Sequence, residues 1–197
     1  MKSFTTGLLK GRRARLSMVA AVLVAAGLSV AWMGQPQYQL VGGWIGSGGG
    51  MIWSCFQTPL DPAGRTAAVR VNPLSYGADI AGLMAMFGAD TSTECTGQAE
   101  MTGRNTGKWA FVEYGVKQGN PPQICSIFVY TGTLKYTGPD SFDVDYTLDV
   151  YPGPANILGL PNADADGDGF PDPGVEPVIS FPGGGIAKRV PLPQPIL

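Results

Sequence analysis

The sequence predicts an all-β fold, an antiparallel barrel or sandwich of about eight or nine strands with one short helix. The first reason is that short apolar or alternating runs recur roughly every ten to twenty residues, with Gly, Pro and Asn between them. The second is that only one run spaces its apolar residues by three and four, as a helix requires. The third is a long Pro-, Gly- and Asp-rich segment after residue 152, whose composition predicts a loop.

The start of the chain has the pattern of an export signal. Five basic residues come first, and residues 16–32 are then uncharged and mostly apolar. Ser29 and Ala31 place small residues just before a cleavage site, which predicts a secretory signal peptide. Without cleavage, the same 17 residues would form a short membrane anchor. The predicted organisation is a leader at 1–33, a β domain at 34–190 and an extended tail at 191–197.

The charge balance excludes one class of partner. All five charged residues of the leader are basic, which leaves eight basic and 15 acidic residues, a net charge of −7, in the remainder. Binding to nucleic acid depends on the neutralisation of phosphates, and the remainder has no Lys/Arg cluster. We therefore expect no nucleic-acid partner, and membrane contact only through an uncleaved N-terminal segment.

The strand predictions rest on period and turn composition. From Phe142 to Val150, apolar and polar side chains alternate, as in a strand with one buried face. Residues 137–140 have turn composition, so this run should form a hairpin with the preceding one. Asp143, Asp145 and Asp149 would then lie on the solvated outer face. The predicted strands are 40–46, 51–58, 66–72, 96–102, 108–117, 123–136 and 141–151, with two further ones at 177–181 and 186–190.

A single helix is predicted at 78–88. Gly88 would end it, because glycine readily takes the backbone conformation that follows a helix. We interpret the helix as part of the core, with a lid over a ligand cavity as the alternative. The residues that would face the domain are Ile80, Leu83, Met84 and Phe87.

Cysteine and histidine usage limits the available chemistry. Cys55, Cys95 and Cys125 allow one disulfide and a free thiol, or three buried thiols that behave as small apolar residues. The chain has no histidine, which excludes Ser-His-Asp and Cys-His catalysis and Cys/His zinc sites. A carboxylate pair could still act on a glycoside, and Glu113 shares a strand face with Trp109. That glutamate would lie in a pocket, or at a strand end where it reaches water.

Residues 162–174 predict a calcium site. Closely spaced aspartates repel one another unless a cation lies between them, and calcium prefers about six to eight oxygen ligands. The expected ligands are Asp164, Asp166, Asp168, Asp172 and the carbonyl of Phe170. The segment resembles the Asp-x-Asp-x-Asp-Gly-x-x-Asp loop of thrombospondin type 3 repeats. That resemblance implies that the four aspartates bind a structural Ca²⁺ ion.

A second resemblance concerns the fold. Gly42, Gly43 and Trp44, at the first predicted strand, are similar to the Gly-x-Trp motif that opens lipocalins and other calycin barrels. In that family the tryptophan closes one barrel end and packs beneath an arginine of the last strand. Arg189 is late enough in the chain to take that part. The resemblance implies a lipocalin-like, exported bacterial β-barrel.

The aromatic residues are the remaining candidates for binding a ligand. Trp44, Trp53, Trp109, Tyr114 and Tyr130 could line the barrel interior and bind a small apolar or sugar ligand, or could fill the core.

We expect a calcium-braced, non-catalytic protein that is exported to the periplasm, the cell surface or the medium. A ligand carrier would need a cavity of about 300 Å³ or more. An envelope or surface component would need an exposed apolar patch or a free strand edge for self-assembly or for an envelope partner. The alternative is a carboxylate-based, glycoside-active enzyme or a carbohydrate-binding module.

Overall fold

The computed structural model describes residues 38–48, 51–61, 65–71 and 78–191. Within them the fold is all-β: eight strands form a closed antiparallel barrel, to which a two-residue strand and one helix are added. The predicted leader and residues 192–197 of the predicted tail lie outside these residues. The elements are β1 (Gly42–Gly48), β2 (Met51–Pro59), β3 (Arg65–Val71), α1 (Ala78–Phe87), β4 (Thr91–Ser92), β5 (Cys95–Met101), β6 (Thr106–Lys117), β7 (Gln123–Gly138), β8 (Ser141–Pro152) and β9 (Ile179–Arg189).

The barrel is a simple meander. Each of its strands pairs with the next one along the chain, and β9 returns to pair with β1. The short strand β4 pairs with the C-terminal end of β6, on the same edge of β6 that pairs with β5. Because the pairing of β6 with β7 completes the ring, none of the eight barrel strands in the described part of the chain has a free edge. Of the two predicted architectures, the structure has the barrel.

The predicted hairpin and its alternation are confirmed. β7 and β8 pair along their length, and Gly138 lies opposite Ser141 at the turn. Phe142 and Leu148 are buried inside the barrel, whereas Asp143 is exposed on its outer face. The period-2 pattern therefore identified both the strand and its buried side.

Two elements differ from the prediction. The runs predicted at 177–181 and 186–190 are parts of one strand, β9, which continues through Pro182 and three glycines. Those residues have turn composition, but here Pro182 is exposed and Gly183 leaves space for a neighbouring ring. The strand β4 was not predicted, because two residues are too short to show a period.

The helix is confirmed as part of the core. Ile80, Met84 and Phe87 are buried, and α1 packs against β6 and β7. Gly88 ends the helix with a φ of 88°, a left-handed conformation that glycine adopts without steric cost. The amide of Ala89 then donates to the carbonyl of Met84 at 3.0 Å, which closes the last turn.

Aromatic rings fill the barrel by lying over inward-facing glycines. A Cβ atom at Gly46 would overlap the Trp53 ring, and one at Gly183 would overlap the Tyr146 ring. A small barrel holds large side chains only if small ones face them on neighbouring strands. The pairing of glycine with an aromatic ring is therefore how this interior reaches a filled core.

The three cysteines are buried thiols that form no disulfide with one another. Cys55 lies on β2, Cys95 begins β5, and Cys125 lies near the start of β7. Of the two interpretations that the sequence allowed, the structure has the three buried thiols; Cys95 does not act only as a small apolar group, because its thiol donates to Glu113 at 3.0 Å.

Candidate functional site

One end of the barrel is closed by Trp44 beneath Arg189. The guanidinium carbon of Arg189 lies 4.2 Å from the centre of the Trp44 ring, and the ring itself is fully buried. The indole nitrogen of Trp44 donates to the carbonyl of Leu40 at 2.7 Å. Arg189 also donates to the backbone carbonyls of Val41 at 2.7 Å and Gln39 at 2.8 Å. The chain before β1 is thus fastened to the last strand.

The first glycine of the motif has a steric role at this end. Gly42 has a φ of 125°, and a Cβ atom there would lie 2.8 Å from a guanidinium nitrogen of Arg189. Any other residue would strain the backbone and push against the arginine. Glycine at position 42, two residues before Trp44, therefore leaves the room that Arg189 needs above the tryptophan ring.

Tyr136 extends this closed end. Its ring meets the edge of the Trp44 ring at 5.9 Å between centroids, and its hydroxyl donates to the carbonyl of Gln39 at 2.9 Å. Burial raises the pKa of the Tyr136 hydroxyl well above its usual value; Arg189 lowers it and Asp140 raises it by smaller amounts. Asp140 in turn accepts a hydrogen bond from Arg189 at 3.0 Å.

The barrel interior contains a cavity of about 40 Å³. Trp53 and Trp109, both half-buried, contribute to its wall, together with Cys55, Gln57 and Tyr146. A cavity of this size has room for a few water molecules but is far smaller than the roughly 300 Å³ of a ligand pocket. The aromatic side chains fill most of the space that a ligand would need.

A buried polar cluster surrounds Glu113. The side chain is only 1% exposed and accepts hydrogen bonds from Ser92 at 2.6 Å, from Cys95 at 3.0 Å and from Tyr130 at 3.2 Å. These donors hold a buried carboxylate in place, as a buried polar group requires. Glu113 was expected in a pocket or at a strand end that reaches water, and the structure instead places it fully buried within this cluster.

The five predicted ligand-binding aromatics occupy different places. Trp53 and Trp109 line the cavity, whereas Trp44 belongs to the closed end and Tyr130 bonds to Glu113. Tyr114 is on the outer side of β6, where its hydroxyl donates to the carbonyl of Gly169 at 2.8 Å. Its neighbour Glu113 faces inward, so the alternation of the strand decides which side each residue takes.

The aspartate loop brings three of its predicted ligands together. Carboxylate oxygens of Asp164, Asp166 and Asp172 lie within 4.8 Å of one another. All three offer oxygen atoms, the ligand type that calcium prefers. The φ values of Gly167 and Gly169, 78° and 92°, let the chain turn tightly around this group.

Asp168 and Phe170 have another arrangement. Asp168 is not among the three converging carboxylates. Like those three, it accepts a backbone amide hydrogen bond within the loop, in its case from Phe170 at 2.8 Å. The side chain of Phe170 is exposed.

The loop is anchored to the barrel at two points. Buried Ala163 makes backbone hydrogen bonds with Pro152 and Asp172, and Tyr114 holds Gly169. Burial, followed by the charges of Asp164 and Asp168, raises the pKa of Tyr114.

The outer side of the barrel carries an exposed apolar surface on β9, β1, β2 and β3. This surface was not predicted, although β1 and β2 contain a signal for it: apolar residues are adjacent at Trp44 and Ile45 and again at Cys55 and Phe56. Adjacent strand residues face opposite sides, so such pairs place apolar side chains both inside and outside. We call this surface the apolar outer face; it consists of Ile45, Ile52, Phe56, Val69, Ile186 and Val190.

The comparisons with known proteins give no relative: no family model, no curated protein and no solved structure matches the chain. Among the residues that the structure describes, no helix is long and apolar enough to cross a membrane. The fold and these sites define the protein as a closed, eight-stranded antiparallel barrel with a filled interior and one arginine-capped end.

Proposed function

We propose that this protein is an exported, non-catalytic, lipocalin-like β-barrel that serves as a structural component of the bacterial envelope or cell surface. The observation that carries the proposal is the apolar outer face. Monomeric proteins rarely expose large contiguous apolar patches, and such patches are typical of interaction sites. Here Phe56 is 59% exposed, and Ile45, Ile52 and Ile186 are each close to half exposed.

The closed end supports the lipocalin-like part of the proposal. The resemblance required an arginine of the last strand above the motif tryptophan, and Arg189 and Trp44 have this geometry at 4.2 Å. The up-and-down order of eight strands is also compatible with such a barrel. These two features are independent, since one is a local contact and the other is the topology of the whole chain.

A carrier of small apolar or sugar ligands is less well supported. The interior cavity of about 40 Å³ would have to expand several-fold, and Trp53 and Trp109 would have to leave their glycine contacts. A glycoside-active enzyme requires two carboxylates about 5–10 Å apart in an open cleft, whereas Glu113 is fully buried.

We further propose that the aspartate loop binds one structural Ca²⁺ ion. Asp164, Asp166 and Asp172 would supply carboxylate oxygens, and the ion would neutralise their mutual repulsion. The bound ion would brace the long connection between β8 and β9. This role suits calcium-rich surroundings outside the cytoplasm and agrees with the export signal expected at residues 1–33.

In-cell photo-cross-linking tests the structural role. A photoreactive amino acid placed at Phe56 should give discrete adducts in the envelope, whether or not the leader is cleaved. The same probe at Thr131, an exposed residue on the opposite side of the barrel, is the matched control and should give none. Absence of adducts at position 56, or equal adducts at both positions, would overturn the proposal.

A further inference from the structure

We propose that this chain folds in the reducing cytoplasm and is exported as a closed barrel, by a translocase that recognises the paired arginines Arg12 and Arg13 of its leader. This inference rests on the proposed export, because it names the partner that carries the export out. The positions of the three cysteines in the barrel carry the inference, and the order of the strands and the sequence of the leader support it.

Cys55 and Cys95 lie too far apart in the barrel to form a disulfide. Both pair with Arg70 of β3, one from each side, so that one strand separates them. Neighbouring strands are about 4.8 Å apart, which puts the two Cα atoms about 10 Å from each other. A disulfide requires a Cα–Cα distance of no more than about 7 Å. The bond could therefore form only in a chain whose strands are not yet paired.

Cys125 is remote from both of the other cysteines. Strand β6 separates it from Cys95, and Glu113 of β6, which accepts the hydrogen bond of Cys95, pairs with Phe128, three residues beyond Cys125. Around the ring, three strands lie between Cys55 and Cys125 in either direction. Each of the three possible disulfides is therefore incompatible with the barrel.

The order of the strands makes early oxidation a hazard for an unfolded chain. The ring closes only when β9 pairs with β1, where Trp44 lies opposite Arg189. A chain threaded from its N-terminus delivers all three cysteines to the oxidising side before β9 arrives. About 95 residues follow Cys95 before β9 is complete, which at a synthesis rate of about 5–20 residues per second takes about 5–20 s.

This delay is long enough for wrong disulfides to form, since disulfide formation takes seconds to hours. In each such step two thiols of the chain lose two protons and two electrons to a disulfide of the envelope, which is reduced to two thiols. The chain would then hold a bond that the barrel does not allow.

Folding before export removes this hazard. Thiols stay reduced in the cytoplasm, and a barrel that closes there buries all three of them. Cys55 is 3% exposed, and Cys95 and Cys125 are fully buried, so the closed barrel shields them when it reaches the oxidising side. A closed barrel cannot be threaded as an extended chain, so the export route must accept a folded protein.

The leader contains the signal that such a route uses. Arg12 and Arg13 are adjacent within the basic start, and the apolar run begins three residues later at Leu16. Paired arginines before an apolar run are typical of bacterial twin-arginine leaders, which direct folded proteins across the membrane. A basic start alone also suits the route for unfolded chains. The pair therefore supports the inference that the cysteine positions carry.

Export of the full chain from a bacterial host that has both routes tests the inference. The double variant Arg12→Lys with Arg13→Lys keeps the charge of the leader and removes only the pair. Its amount in the envelope should fall at least about tenfold below that of the wild type, because lysine does not replace arginine in specific recognition. Folded protein with reduced thiols should collect in the cytoplasm instead. Arg15→Lys makes the same exchange outside the pair and should be exported as the wild type is.

The thiols of the exported wild type give a second measurement. Alkylation with iodoacetamide in denaturant, without a reductant, should label all three cysteines, and mass spectrometry counts the labels. A disulfide within the exported, folded chain would overturn the inference, because it would show that oxidation is compatible with the barrel.

The outcomes separate this inference from the proposed function. Equal export of the double variant and the wild type would overturn folded export and leave the envelope role intact. Equal loss of export for Arg15→Lys and for the double variant would overturn recognition of the pair. A wild type that never reaches the envelope would overturn the proposed function, and this inference with it.

Discussion

The guanidinium of Arg189, from the last strand, lies 4.2 Å above the indole ring of Trp44, from the first strand, and so joins the two ends of the described barrel. The same arginine donates to the carbonyls of Gln39 and Val41 and to Asp140. The contact therefore combines a cation–π interaction with charge-assisted hydrogen bonds on the strand that closes the ring.

Removal of this arginine should destabilise the barrel. Arg189→Ala leaves two backbone carbonyls without their donor and uncovers the indole, for a loss of about 3 kcal/mol in the free energy of unfolding. Arg189→Lys keeps the charge but not the planar fork and should lose about 1–2 kcal/mol. Urea denaturation measures both. The neighbour Lys188 faces outward, and Lys188→Ala should stay within about 0.5 kcal/mol. If Arg189→Lys is as stable as the wild type, the stacking of the planar guanidinium on the Trp44 ring is contradicted.

The glycines beneath the aromatic rings give a second prediction. Gly183→Ala would drive a methyl group into the Tyr146 ring and should cost about 1–3 kcal/mol by overpacking. Gly184→Ala, one residue further along β9, faces outward, where the nearest atom to the new methyl group is 3.3 Å away. That atom is the backbone carbonyl oxygen of Val144, so the contact is tight, but it is not the overlap that Gly183→Ala would create, and Gly184→Ala should cost clearly less. Thermal unfolding of the pair measures the difference; equal melting temperatures would contradict the packed interior.

Tyr136 predicts a loss of stability at alkaline pH. Its pKa is raised in the folded state above the value of about 10 in the unfolded chain, so the folded protein holds the proton more tightly. The resulting stability is fully present below pH 10 and falls as the pH rises above it, by up to about 1.4 kcal/mol per pH unit.

Tyr136→Phe isolates this contribution. At pH 8 the variant should be about 1 kcal/mol less stable, because the hydrogen bond to Gln39 is lost. Between pH 9.5 and about 11 its stability should fall less steeply than that of the wild type. The pKa values of Tyr114 and Tyr151 are also raised, but these residues contribute equally to the pH dependence of stability in the wild type and in Tyr136→Phe. Parallel curves of stability against pH would contradict the prediction.

The aspartate loop predicts unequal effects of its aspartates on calcium binding. Asp166→Ala and Asp172→Asn each remove a converging carboxylate and should weaken calcium binding at least about tenfold, since ligand charge sets the affinity of such loops. Asp168→Asn should weaken it less than about threefold, because Asp168 is not one of the three converging carboxylates. Isothermal calorimetry measures all three. A flat titration of the wild type would end the calcium proposal.

Much of the fold could be predicted because local periods determine it. The alternation from Phe142 to Val150 identified β8, and the spacing of Ile80, Met84 and Phe87 identified the helix. These patterns reflect contacts that each element makes with one face, so a single run of sequence contains the information.

Whether the barrel interior is filled or hollow could not be predicted, because it depends on contacts between residues that are distant in sequence. The position of Trp109 over Gly132 and of Tyr146 over Gly183 decides that the barrel is filled, and neither pair is visible before the register is known. The same holds for the loop: which aspartates converge depends on how Tyr114 and Pro152 hold it against the barrel. The apolar outer face was missed because β1 and β2 have apolar residues on both sides, so that their pattern alone does not show which side is exposed.

The burial of Cys55, Cys95 and Cys125 sets a condition on how the chain matures. In an oxidising compartment, an unfolded chain with three thiols can form wrong disulfides within seconds to hours. Once the barrel has closed, each thiol is shielded from oxidants, and the reduced state persists without any reductant. If the protein is exported as proposed, its folding must therefore bury the thiols faster than they are oxidised.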